Sequence, residues 1–217
     1  MNHFLHCNSG PAHLALVYLD EYYNMSRHPD RRGFVVERPD AIRLLASPLR
    51  QAIVDSIVAD GETTANALSA VIRRPADRLY YHLRLLEKAG LVRSRESRAT
   101  NGRTERFFDV PDRPLYLRYD PASSANRSAV RSVVRSMVRA ALHDFARGFE
   151  RKGVSTWGPR RELWAGRVQG HLTTRDLEVV NAVMQCLIDR IVASRRHDPA
   201  SGKAYQLTWL LSPMEDG

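Results

Sequence analysis

Asp77, Tyr80, Tyr81 and Arg84 fall at the spacing i, i+3, i+4 and i+7. In a helix that spacing puts all four on one side. Leu79, Leu83 and Leu86 interleave with them and point the other way, toward a core. A face with one carboxylate, two phenols and a guanidinium is suited to recognition rather than to bond breaking. The arginine fork can bond guanine O6 and N7, an aromatic edge can touch a thymine methyl, and an aspartate can accept from cytosine N4. Asp77 has an equal alternative, as a first-turn charge favoured by the helix dipole or as an orienter of Arg74, Arg78 or Arg84. Arg73, Arg74 and Arg78 surround this face, and a simply solvated helix seldom carries such a set. Further along, Arg95, Arg98 and Arg103, with Arg106 as a further candidate, are expected to meet phosphates or the minor groove. The expected DNA-binding set is therefore Arg73, Arg74, Asp77, Arg78, Tyr80, Tyr81, Arg84, Arg95, Arg98 and Arg103.

The elements that must position these residues can be read from Asp40 onward. Asp40 is placed to cap a helix carrying Ile42, Leu44 and Leu45. Ser47-Pro48 reads as an N-cap followed by a first-turn proline. Leu49, Ile53, Ile57 and Val58 then share one face of a second helix, which Asp60-Gly61 ends. Thr63 or Thr64 caps a third helix with Ala67, Leu68 and Val71 apolar. Arg73-Arg74-Pro75 breaks the chain, and a fourth helix is predicted from Ala76 to Ala89, stopped by Gly90. Leu91 to Arg95 and Thr104 to Val110 read as strands, and Asn101-Gly102 between them is a strong hairpin signal. Helices around one core followed by a basic hairpin give the order of a winged helix-turn-helix.

The run Leu79-Tyr80-Tyr81-His82-Leu83-Arg84-Leu85-Leu86-Glu87-Lys88-Ala89-Gly90-Leu91-Val92 resembles the recognition helix and first wing strand of ArsR-like winged-helix regulators. Leu45-Ala46-Ser47-Pro48-Leu49-Arg50 resembles the start of the same module. The resemblance spans about residues 40–112. It implies a homodimer that reads a two-fold-related operator, one recognition helix per half-site. The place of His82 in the motif implies packing or hydrogen bonding inside the domain. Metal-sensing members of that family commonly carry cysteines or histidine-carboxylate sets near the helix before the recognition helix. Residues 63–72 contain no Cys, His, Asp or Glu, so no metal and no cofactor are expected.

The charge supports the same partner. The formal net charge is +9, and residues 73–106 hold ten basic side chains against four acidic ones. That cluster accounts for two thirds of the excess in under a sixth of the chain, which points to a polyanion such as double-stranded DNA. Mean hydropathy is −0.40, and no apolar run approaches the roughly 20 residues of a spanning helix. A cytoplasmic protein with no membrane partner is expected. Cys7 and Cys186 are too far apart to suggest a disulfide framework and are expected as unpaired thiols.

The fold class expected is mainly α with a small β-wing: a winged helix-turn-helix domain plus a mostly helical C-terminal domain with a terminal strand. Residues 1–39 read as an arm, with a short helix around Leu14 to Tyr23 and then a loop. Residues 40–111 form the DNA-binding domain, 112–122 a proline-punctuated linker, and 123–217 a dimerisation or effector domain. In that last part helices are predicted over Ser123–Arg151 and Thr173–Ser194. Their apolar stripes run through Val130, Val134, Met137, Ala141 and Phe145, and through Leu177, Val180, Met184, Leu187 and Ile191. Tyr205, Leu207, Trp209 and Leu211 alternate as a half-buried strand would. Arg127, Arg131, Arg135 and Arg139 make a basic ridge. Trp157, Trp164 and Trp209 are candidates either for a small-molecule effector pocket or for a second core. No catalytic constellation appears. The function expected is a sequence-specific, non-enzymatic transcription regulator. The alternatives are an enzyme or small-molecule binder using the winged helix for protein interaction, and a non-specific architectural DNA binder.

Overall fold

The computed structural model describes residues 17–19, 33–98, 104–194 and 203–214. Strand β1 (Val17–Leu19) and strand β2 (Phe34–Val36) come first. Helix α1 (Pro39–Leu44) and helix α2 (Pro48–Asp60) follow. Both begin with proline, whose missing N–H costs nothing in a first turn. Arg38, not Asp40, occupies the N-cap of α1, and Asp40 lies in the first turn, ion-paired with the Arg38 side chain. Strand β3 (Thr63–Thr64) leads into helix α3 (Ala65–Ile72). Thr64 caps α3 by accepting a hydrogen bond from the Ala67 amide at 3.2 Å. Helix α4 (Ala76–Lys88) ends as predicted, with Gly90 at φ +78°. A left-handed residue here lets the chain turn straight into the wing.

The wing is an antiparallel sheet of strand β4 (Arg93–Arg98), strand β5 (Thr104–Asp109) and β3, in the order β3-β5-β4. Its register pairs Arg95 with Phe107 and Ser94 with Phe108. Strand β6 (Leu115–Leu117) then lies between β1 and β2, parallel to both. The predicted linker therefore carries a strand that is buried at all three residues, and the helix expected near Leu14 to Tyr23 is a strand at residues 17–19. Three-residue strands show too little alternation to be read, and parallel partners lie far apart in sequence. The rest of the expected N-terminal helix falls outside the described residues.

One core gathers β2, β5, β6 and the helices α1 to α4. Ile42, Leu45, Ile53, Ile57, Leu79, Leu83, Leu86, Leu91 and Leu115 are fully buried in it. The first half of helix α5 (Ser124–Phe149) joins the same core through Ala129 and Val133. Its buried seam is thus displaced from the predicted stripe: Ala129 and Val133 lie in the core while Val130 and Met137 pack at its margin. Helix α6 (Thr174–Ser194) forms within a residue of its predicted limits. Ile188 and Val192, rather than Leu177 and Leu187, are its buried residues. Cys186 on α6 is disulfide-bonded, contrary to the expectation of free thiols, and Cys7 lies outside the described residues. Residues 203–214 form no strand. Alternation alone does not make one without a neighbouring ladder to satisfy its backbone, and Tyr205, Leu207 and Leu211 stay exposed. Trp157 and Trp164 are also exposed, at 84% and 67%, so they fill neither a core nor a closed pocket.

Two side chains hold the junctions. Arg113 donates to the carbonyls of Ile57 and Val58 at 3.0 and 3.2 Å and pairs with Asp109. It thereby satisfies the open end of α2. Asn126 is buried; its amide oxygen accepts from the Asp120 amide and its nitrogen donates to the Arg118 carbonyl, both at 2.9 Å. Asn126→Ala leaves both backbone groups without their partner and should cost about 1–3 kcal/mol in urea denaturation. Gly33 packs against β6 so closely that a Cβ would sit 2.7 Å from the Tyr116 ring and 2.9 Å from the Pro114 carbonyl. Gly33→Ala should lower stability by about 1–3 kcal/mol in the same assay, as overpacked sites do; an unchanged midpoint would contradict this close approach.

Candidate nucleic-acid interface

The site is built on the turn between α3 and α4. Arg73 ends α3 in the left-handed conformation, at φ 57° and ψ 45°, with its amide bonded to the Ser69 carbonyl. A non-glycine residue rarely sits there, and its use here swings the chain sharply into Pro75. Pro75 occupies the N-cap of α4, and Asp77 is in the first turn, where the dipole favours negative charge.

Leu79, Leu83 and Leu86 are 0% exposed. Their burial fixes the rotation of α4 about its own axis and turns Asp77, Tyr80, Tyr81 and Arg84 outward. Tyr81 is 64% exposed, and Tyr80 only 38% because its ring packs edge-on against Phe108 of the wing, 6.2 Å between centroids. Tyr81 stands edge-on to His82 at 5.2 Å.

The arginines around this face differ from those beneath it. Arg73, Arg74, Arg78 and Arg84 are exposed, and their side chains make no ion pair or hydrogen bond among the described residues. Arg93, Arg106 and Arg113 are each held by a carboxylate. Arg74 and Arg78 border an open groove of about 700 Å³, shared with Ser47, Pro48 and Leu49 at the start of α2. The Ser47 side chain makes no cap bond to its own helix, and the first turn of α2 has no acidic residue. The groove thus combines two uncommitted guanidiniums with the positive end of a helix, a setting that suits an anion.

His82 packs beside this groove. Its Nδ1 is buried and has no hydrogen-bond partner among the described residues. Burial, reinforced by nearby Arg50, pushes its pKa below the usual histidine value, so the neutral ring is the stable form near pH 7. Among the described residues, no three His, Cys, Asp or Glu side chains converge as a metal site would require.

On the wing, Arg98 is exposed at the end of β4, whereas Arg103 and the Asn101-Gly102 turn lie outside the described residues. Arg95 has a protein partner. Its fork pairs with Glu62, with Nε at 2.6 Å from the carboxylate, and it lies over the Phe107 ring at 4.9 Å. Arg106 is bound to Glu87. Sequence reasoning found the arginines but missed Glu62 and Glu87, since pairs 33 and 19 residues apart leave no local signal. On α5, Arg131, Arg135 and Arg139 form an exposed ridge, as their spacing predicts.

Residues 45–95, from the end of the α1 segment into β4, match a family described as a helix-turn-helix domain. A comparison with curated proteins returns no match. Among solved structures, similarity is found to a chain described as "Possible transcriptional regulator from Methanosarcina mazei Go1". It shares 12% identity at a TM-score of 0.29, and the match covers 50% of this chain and 85% of that one. Residues 45–95 are thus similar to helix-turn-helix domains, and here that unit carries a β-wing and is followed by two long helices.

Proposed function

We propose that the protein is a sequence-specific, non-enzymatic DNA-binding transcription regulator. The observation that carries this reading is the exposed, unpaired arginine set around Tyr80 and Tyr81 on the second helix of a helix-turn-helix. In this reading α4 enters the major groove. Arg84 reads a guanine, Tyr81 and Tyr80 contact base edges or methyls, and Asp77 either accepts from a cytosine or orients Arg78 and Arg84. Arg73, Arg74 and Arg78 hold phosphates, with the α2 terminus beside them. Arg98 and Arg103 extend the contact from the wing, while Arg95, committed to Glu62, acts chiefly through the shape of the wing.

The protein acts as a homodimer on a two-fold-related operator. Val138 and Leu142 on α5, and Val179 and Val183 on α6, are exposed apolar side chains, and they supply surface for a second copy. Residues 123–217 are accordingly the dimerisation part and the place for an unidentified small-molecule effector to act.

Binding of the full chain to duplexes from the promoters of its own and adjacent genes, followed by anisotropy, tests the reading. Affinity should fall steeply as salt rises. Arg98→Ala should weaken cognate and random duplexes alike and reduce the slope of log K against log salt by about 0.9, as loss of one phosphate contact does. Arg84→Ala should weaken the cognate duplex by about 1–3 kcal/mol and relax preference at one base pair. Equal losses from both variants on both duplexes would contradict this division of roles.

A further inference from the structure

Three elements meet at Glu87. It lies on α4 three residues beyond Arg84 and points toward the wing. Arg106 of β5 donates to both of its carboxylate oxygens, at 3.0 and 2.9 Å. The Arg106 Nε donates to the Ser94 hydroxyl of β4 at 2.9 Å, and that hydroxyl donates back to Glu87 at 2.5 Å. The ring is closed and joins α4, β4 and β5. Phe108 lies beneath it, touched by Tyr80 from α4 and by the Arg106 guanidinium at 5.5 Å.

We propose that Glu87 is a positioning residue for specificity. It fixes the angle between α4 and the wing, and so sets how far the wing contact at Arg98 falls from the base pair that Arg84 reads. It does this without touching DNA. The inference rests on the DNA-reading function proposed above.

Two physical arguments separate this role from a bland one. Both partners are partly exposed, with side-chain exposures of 34% for Arg106 and 29% for Glu87, and such ion pairs add little to folding. Stability alone gives a weak reason for the arrangement. The second argument concerns sign. A carboxylate near the DNA-facing surface repels phosphates, so by charge alone Glu87→Gln should strengthen binding to every duplex. A positioning role requires that specificity fall even as that repulsion is removed.

The test uses the full chain and a duplex selected on the wild type, against a random duplex of equal length. Glu87→Gln should bind the random duplex at least as tightly as wild type. Its ratio of specific to random affinity should fall about tenfold, the scale of one lost base-pair discrimination. Hydroxyl-radical footprinting should place the loss at the flanks contacted by the wing, with central protection retained. Arg106→Lys keeps the charge but loses the fork, and should give the same flank-confined loss. The double variant E87R/R106E should recover most of the ratio. An unchanged ratio in Glu87→Gln and Arg106→Lys, or a loss spread evenly over the site, would overturn the inference alone. A wild type with no preference among duplexes would instead sink the DNA-reading function on which it rests.

Discussion

The burial of Leu79, Leu83 and Leu86 is the constraint from which the proposed interface follows. All three are fully buried, in a core to which α1, α2 and α3 contribute. At roughly 1.5–3 kcal/mol for each buried leucine side chain, no other rotation of α4 competes. Once that face is committed inward, Asp77, Tyr81 and Arg84 have no choice but solvent. The flanks of the same helix are then assigned as well. One side, with Tyr80 and Glu87, meets the wing. The other, with Arg78 and His82, borders α2.

Electrostatics refine what packing decides. The chain has acids available for its arginines, and it spends them beneath and beside the interface rather than on it. Asp109 holds both Arg93 and Arg113, Glu62 takes Arg95, and Glu87 takes Arg106. These pairs tie β4 and β5 to the helical core at several points. Arg73, Arg74, Arg78 and Arg84 are left with positive charge and no protein partner among the described residues. A cluster that looks uniform in sequence therefore divides into structural and uncommitted arginines.

That division marks the limit of what the sequence could show. The helices were legible because their signals are local: Pro48 at a first turn, Thr64 as a cap, and Gly61 and Gly90 at the ends. The outward face of α4 was legible from periodicity alone. The β1-β6-β2 sheet was not, because its parallel strands are three residues long and brought together from residues 17, 34 and 115 onward. The fate of Arg95 was hidden for a related reason. Its partner lies in the turn before β3, and only folding of the wing brings them together. The terminal alternation from Tyr205 misled in the opposite direction, since a local pattern was present and the neighbouring strand it needs was not. Along α5 the stripe was read correctly as helical but placed on Val130 and Met137, while the residues in the core are Ala129 and Val133.

The central claim is that the outward face of α4 reads DNA sequence. Selection of duplexes from a random pool by the full chain tests it most directly. Enrichment is expected of a two-fold-related motif whose half-sites each contain a guanine, with the guanine N7 positions protected from methylation in the major groove. Retention of duplexes without any enriched motif, or protection confined to the minor groove, would contradict it.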